Sequence, residues 1–445
     1  MKPNILFLFA DQMHAFAMRC MGTDDIHTPN LDQLASEGVL FRNSYSNAPV
    51  CTPYRGTLFT GKYASQTGMF GNQAALPKGE PTLADSLNEA GYLTSYVGKW
   101  HIGDTWNQWV PPNLRGGFTE FIGYQAHNNF IEDVWFFDEE GNKREFDKHR
   151  TDATTDIVIE KLENYQKRAE KPFALFASYQ NPHYPEQPDA QYEALYEGVE
   201  IQRRPNSQDI EPYTGTHSPP SPKPRENDPV YQKYGGDLGA YLRAYYAMVT
   251  QLDDNVGRVM RALDELGLRD NTIVVFTSDH GDMQGSHGLK NKSLAWEESS
   301  RVPHIVRAPG GLEGHVSDAV ASGIDHYPTL LDFAGGETPS DKEGFNLAPL
   351  IRGETAETPQ TVFCEMSGWG SRRAWRMIRK GPWKLTCNWA DPENGSEGGL
   401  RTVHLFDLSV DPYEMNNLVD SEAHQTLRTA LQSELKAWAL RVRAK

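Results

Sequence analysis

Cysteine is scarce: the 445 residues hold four, at positions 20, 51, 364 and 387, with no C-x-x-C spacing. That is too sparse for a disulfide framework and implies mostly reduced thiols. Long apolar runs are missing as well, and none approaches the roughly 18 residues that span a bilayer. The first run, NILFLFA from Asn4, is short and leads straight into Asp11. It leaves no room for the charged, apolar and cleavage regions of a leader. As written, the chain is expected in the cytoplasm, or in the periplasm or outside the cell if a leader has been removed. Positive charge is in deficit, with 43 Lys and Arg against 60 Asp and Glu and a net charge of -17. Nucleic acid and anionic membranes are therefore not expected partners, and an anionic substrate needs a local cluster of cations. Internal repeats and low-complexity tracts are absent too.

What is present is an alternation of short apolar runs and helical patterns. NILFLFA (4–10), LTSYVG (93–98), FALFASY (173–179) and TIVVFTS (272–278) are nearly continuous hydrophobic strands. Strands of that kind belong to a parallel sheet covered on both faces by helices. TPNLDQLASEG predicts a helix with Thr28 as cap and Pro29 at its first position, and TLADSLNEAG carries a Thr82 to Asp85 capping pattern. A helix from about Leu238 to Leu266 shows an apolar stripe at three-to-four spacing. Asp253 and Asp254 are expected on its solvated face, and Asp325 is expected to cap the helix that follows it. Residues 185–236 break the rhythm with nine prolines, and predict a loop that shapes a substrate pocket. After about residue 355 the strands shorten, with a Lys380-Gly381 turn between two of them, and an amphipathic helix closes the chain from Ser421 to Arg441. The fold expected is α/β, a central mostly parallel sheet sandwiched by helices over residues 1–355, with a smaller antiparallel sheet plus helix over 356–445.

Ligand sites of open parallel sheets lie beyond the carboxyl ends of the strands. Those ends carry Asp11-Gln12, Lys99 and His101, His183, and Asp279-His280. Any one of these alone is ordinary, since an Asp after a strand is commonly a helix cap. Their convergence on one edge from four strands is what singles them out. Asp11, Gln12, Asp279 and His280 offer two carboxylates, an amide oxygen and an imidazole, a set suited to calcium or manganese rather than zinc. His14, His27 and His127 lack such placement and are assigned to surface or core.

The stretch CTPYRGTLFTG (51–61), expected to form a proline-containing turn at Cys51, then resembles the C-x-P-x-R signature of the type I sulfatases of the alkaline phosphatase superfamily. The resemblance continues through TPNLDQLASEGVLFRNSY, GKWHIG, NPHYP, TSDHGDMQGSHGLKNKS, RVPHIVRAPG and FDLSVDPYEMNNL, in the family's order along nearly the whole chain. It implies an alkaline phosphatase-like fold and conversion of Cys51 to formylglycine by a maturation enzyme. The hydrated aldehyde carries two hydroxyls, one to attack sulfur and the other to help expel sulfate. By the same resemblance Asp11, Gln12, Asp279 and His280 bind one divalent metal together with the modified Cys51, calcium first, with manganese or magnesium as alternatives. Arg55 supports the diol, Lys99 and Lys292 grip sulfate, His101 takes the diol's proton, and His183 protonates the leaving alcohol. His287 stands further out. The activity implied is hydrolysis of a sulfate ester, of a small molecule or an oligosaccharide, with a sulfated carbohydrate favoured. Asp-Gln where many relatives have Asp-Asp, combined with Asp-His, also resembles the phosphonate monoester and phosphodiester hydrolases, which is the rival reading. A non-catalytic binder of sulfated glycan is the rival from another class. Tyr54 is expected to crowd the pocket or stack on a substrate ring, and Trp369, Arg372, Arg373 and Trp375 to line a sugar pocket.

Overall fold

The apolar runs do become strands, and their side chains explain why they lie in the middle of a sheet. Residues Asn4–Asp11 (β1), Phe173–Pro182 (β7) and Thr272–Ser278 (β8) are buried along their whole length, and Leu93–Lys99 (β3) nearly so. Alternate residues of β1 serve opposite faces: Leu6, Leu8 and Ala10 join one apolar cluster, and Ile5, Phe7 and Phe9 the other. A strand wanted by two cores must have helices on both sides. One face is covered by the helices Leu238–Glu265, Arg150–Arg168 and Pro29–Ser36, the other by Cys51–Thr60, Leu83–Glu89 and His326–Phe333. The computed structural model describes residues 2–103, 109–168, 171–207, 237–367, 374–389 and 399–443.

The remaining strands are Val39–Tyr45 (β2), Glu120–Tyr124 (β4), Val134–Phe137 (β5), Lys143–Phe146 (β6), His304–Arg307 (β9) and His315–Ser322 (β10). The ten-stranded order is β10-β2-β9-β8-β1-β7-β3-β4-β5-β6. Strands β8, β1, β7, β3 and β4 run parallel, with Ile5 opposite both Ala174 and Ile273. β9 runs antiparallel between β2 and β8. The parallel strands therefore deliver Ser278-Asp279, Asp11, Pro182-His183 and Lys99 to a common edge. Gly98 has φ +105, and a Cβ there would lie 2.2 Å from the carbonyl oxygen of Ser178. Only glycine lets β3 come this close to β7 immediately before Lys99.

A second sheet of four antiparallel strands, Thr361–Met366 (β11), Trp375–Lys380 (β12), Trp383–Trp389 (β13) and Leu400–Asp407 (β14), carries the helix Gln425–Arg441. Leu431, Leu435 and Trp438 of that helix pack on Ile378, Leu385 and Leu405, with Tyr63 and Ile324 of the first unit in the same cluster. Among the described residues no helix is long and apolar enough to cross a membrane.

Three local expectations are corrected. Asp253 is fully buried, not solvated: it accepts from the backbone N–H of Asn30 and of Leu31 (2.7 Å). It thus caps the helix Pro29–Ser36 from across the fold, and Thr28 makes no side-chain cap. Asp325 accepts instead from the N–H groups of Ser322 and Phe345 and does not cap the following helix. The proline-containing stretch after Cys51 is not a turn but the helix Cys51–Thr60, buried at every residue and ended by Gly61 at φ 62.

Candidate active site

Cys51 opens that buried helix, where the unpaired N–H groups of the first turn favour negative charge. Its sulfur is the hub of the cluster. His280 Nε2 and Lys292 Nζ each lie 3.3 Å from it, Asp11 Oδ1 3.7 Å and Lys99 Nζ 3.9 Å. The rings of His101 and His183 also lie beside the thiol. Burial alone would raise the thiol's pKa, but Lys292 and Lys99 outweigh it and hold Cys51 well below the usual thiol range. In a chain of net charge -17, this spot is built to stabilise negative charge.

Arg55 is fully buried and does not point at the sulfur. Its terminal nitrogen bridges Asp11 Oδ2 and Asp279 Oδ2, at 3.3 Å each. The other nitrogen donates to Ser178 Oγ (2.9 Å) and to the carbonyl of Lys99, and the guanidinium lies over the Phe9 ring. Lys99 Nζ completes the ion pairing at 2.5 Å from Asp11. Burial works against ionisation of Asp11, yet Lys99, His183 and Lys292 hold its carboxyl well below the carboxylate range. Burial and the charge of Asp11 push Asp279 up to about 6. Two carboxylates so placed want more positive charge than the protein supplies.

A divalent cation fits that demand. One ligand atom from each of Asp11, Cys51, Asp279 and His280 lies within 4.8 Å of all the others, and all four residues are buried. His280 Nδ1 is 3.0 Å from the Gly281 carbonyl, so the ring donates there and turns the lone pair of Nε2 inward. The carboxylates and the amide oxygen suit a hard cation, and the imidazole widens the choice to borderline metals. Gln12, at φ 70, directs its Oε1 to Lys292 Nζ (2.7 Å), while its backbone N–H donates to Asp279 Oδ1 (3.0 Å). His101, Asn291 and Ser293 also have left-handed φ of 58, 65 and 76, a conformation that costs of order 1–3 kcal/mol at each non-glycine residue and persists only where neighbours enforce it.

The structure thus gathers Asp11, Gln12, Cys51, Arg55, Lys99, His101, His183, Asp279, His280 and Lys292. His287 lies apart, stacked on Trp296 (4.0 Å between ring centroids) and grouped with Glu298 and Glu414. Tyr54 is a correction: it is fully buried in the core with Phe9 and Leu58, its ring against Gly323, so it cannot meet a substrate. Trp375 is another: it is buried, and its Nε1 donates to the Ser293 carbonyl (2.9 Å), so it holds the Lys292 loop rather than lining a pocket. Trp369, Arg372, Arg373 and residues 208–236 of the proline-rich segment lie outside the described residues. His14 is buried on Gln284 and Tyr245, His27 is exposed, and His127 packs on Trp135.

Sequence reasoning missed the supports of the Lys292 loop. Lys384 Nζ, buried on β13, bridges Glu297 Oε1 (2.8 Å) and Glu414 Oε1 (2.7 Å), and Glu414 accepts from the Glu297 backbone N–H. No local pattern marks a lysine inside an antiparallel strand, although WEES, just after Lys292, does flag an acidic pair. Lys384→Met removes one partner of a buried ion triad, which costs about 3–5 kcal/mol. The expected outcome is a clear drop in thermal midpoint with a fall in turnover. An unchanged midpoint contradicts the assignment.

A helix-covered parallel sheet with a buried anion-stabilising cluster at its carboxyl edge places the molecule among alkaline phosphatase-like hydrolases. The sulfatase family model matches residues 3–336, and the C-terminal model of N-sulphoglucosamine sulphohydrolase matches residues 285–441. The chain belongs to the sulfatase family, the type I sulfatases, and is a sulfuric ester hydrolase. It is 30% identical over 444 residues to an ulvan-active sulfatase of Formosa agariphila, covering 98% of this chain and 80% of that one. An N-acetylglucosamine-6-O-sulfatase of Bacteroides thetaiotaomicron is 29% identical over 480 residues, with 94% and 82% covered. A protein solved with its substrate D-glucosamine-2-N,6-O-disulfate superposes with a TM-score of 0.84 at 26% identity, covering 99% of this chain and 98% of that one.

Proposed function

We propose that the protein removes sulfate from a sulfated carbohydrate, using formylglycine at position 51 and one divalent metal. The observation that carries the reading is the position of Cys51 Sγ between the group Asp11, Asp279 and His280 and the cations Lys99 and Lys292. A maturation enzyme is required as partner for the thiol, and once converted and hydrated the aldehyde supplies two hydroxyls on one carbon. The metal, calcium by donor type, held by Asp11, Gln12, Asp279, His280 and residue 51, supplies Lewis-acid charge.

The side chains do the rest. Lys99 and Lys292 bind the sulfate oxygens and orient sulfur over residue 51. Arg55 keeps Asp11 and Asp279 together and ionised. His183 donates Nδ1–H to the Tyr184 carbonyl (2.6 Å), leaving Nε2 towards the reacting centre to pass a proton to the leaving alcohol. Burial and Lys292 hold His183 down to about 4. An incoming sulfate offsets the lysine charge and raises its proton affinity. His101, also held down to about 4 by burial and Lys99, takes the proton released at residue 51 as sulfate departs. We assign catalysis to a unit spanning residues 1–355 and support of the Lys292 loop to residues 356–445, on the strength of the Lys384 and Trp375 contacts.

Gln12 keeps a phosphonate monoester or phosphodiester in contention, because both are monoanions like a sulfate ester. Parallel assays with sulfated mono- and oligosaccharides, an aryl sulfate, an aryl phosphonate and a phosphodiester decide. The best sulfated sugar is expected to exceed the others in kcat/KM by about a hundredfold, the scale of a few well-made contacts. A phosphonate or diester in first place overturns the reading. Sugar binding without release of sulfate overturns the enzyme assignment.

A further inference from the structure

An amide has two unlike ends, and a site that uses its oxygen must keep the nitrogen out. Gln12 Nε2 is 2.5 Å from Asp282 Oδ2 and 3.1 Å from Asn291 Oδ1, on the side away from Lys292. Asn291 cannot set this polarity, because its own amide can turn to present donor or acceptor. Asp282 can: donors meet it from every side, namely Gln12 Nε2, the Tyr241 hydroxyl, and the backbone N–H groups of Gln284 and Asn291. It is buried, and it offers only oxygen. Turning the Gln12 amide over would set its oxygen against that carboxylate and its NH2 group against the Lys292 ammonium. Two attractions would become two repulsions.

We propose that Asp282 is a positioning residue that fixes which end of the Gln12 amide faces the cation site. The inference rests on the assignment of Gln12 as a metal ligand, and it makes Gln12 and Asp282 one unit although 270 positions separate them. A neutral amide beside the ammonium of Lys292 is tolerated because an acidic residue on its far side holds it in place.

The test exploits the symmetry of a carboxylate, which has no wrong end. Calcium is titrated into the metal-stripped full chain by calorimetry for wild type, Asp282→Asn, Gln12→Glu and the double variant Gln12→Glu/Asp282→Asn. Asp282→Asn is expected to weaken calcium binding at least tenfold, because the amide is then free to turn. Gln12→Glu alone is expected to weaken it too, since two carboxylates meet at hydrogen-bond distance. In the double variant the amide introduced at position 282 donates to the carboxylate introduced at position 12. Affinity is then expected to return to within about threefold of wild type, as reciprocal coupling in a double-mutant cycle requires. Circular dichroism checks folding of each variant. Asp282→Asn binding calcium as tightly as wild type overturns the proposal, and so does a double variant no better than the worse single one, whether through weak binding or failure to fold. If Asp282→Asn alone fails to fold, a folded double variant that binds calcium supports it. Wild type binding neither calcium, magnesium nor manganese removes the metal assignment and this inference together. Wild type binding with no loss in Asp282→Asn removes this inference alone.

Discussion

Cys51→Ala loses sulfate release by a factor on the order of 10^4 to 10^6 in kcat, the range found when a covalent nucleophile is deleted while its surroundings remain. The sulfur contacts Lys292, Lys99, Asp11 and His280, so none of these groups can replace it without vacating its own position. The alanine variant is expected to keep its fold, because the helix Cys51–Thr60 is buried through its other residues as well. Cys51→Ser separates the two halves of the chemistry. Serine has one hydroxyl to attack sulfur and no second one to expel it, so at most one equivalent of alcohol is released before turnover stops. Wild-type protein from a host with the maturation enzyme has a peptide about 18 Da lighter at this position, since sulfur and two hydrogens leave and one oxygen enters. Activity of Cys51→Ala within tenfold of wild type defeats the whole scheme.

Arg55→Leu is expected to damage stability as much as activity. Its guanidinium joins two carboxylates of 0% exposure, Asp11 and Asp279, and leucine leaves the two with the Lys99 ammonium paired to Asp11. Breaking a buried ion pair from one side costs about 3–5 kcal/mol, most of it the desolvation of the charges left behind. Arg55→Lys recovers little, because one ammonium cannot reach both carboxylates, Ser178 and the Lys99 carbonyl at once. A divalent cation at the same carboxylates offsets part of the loss by mass action. The denaturation midpoint of Arg55→Leu is therefore expected to rise more on adding calcium than that of wild type. Equal midpoints for the two proteins in a chelator, or equal gains with calcium, refute the account.

Much of this site is legible in one dimension because it sits where chain direction and burial already point. β1, β7, β8 and β3 are apolar enough to be recognised, and each is followed within a few residues by a group with chemistry. β2, β9 and β10 were less legible. β2 begins VLF and then turns polar, and β9 is only four residues long, inserted antiparallel where a parallel neighbour was expected. Arg55 lies in the cluster with the carboxylates of Asp11 and Asp279 as its partners, and not residue 51. Asp253 and Lys384 were hidden for a common reason: a charged residue in a helix or strand is ordinarily exposed, and only its distant partners make burial tolerable.

By itself the sequence determined the covered sheet and the groups at its strand ends, because periodicity and strand-end position are properties of neighbouring residues, and the order of its motifs pointed to the family. Tertiary structure alone decided which way those groups face. Asp282 reaches Gln12 across 270 positions, Arg55 spans 224 to Asp279, and Asp253 caps a helix 222 positions away at Leu31. Hydrogen-bond polarity and ion pairing depend on atoms a few ångströms apart in space, and no local pattern along the chain encodes which distant residue arrives there.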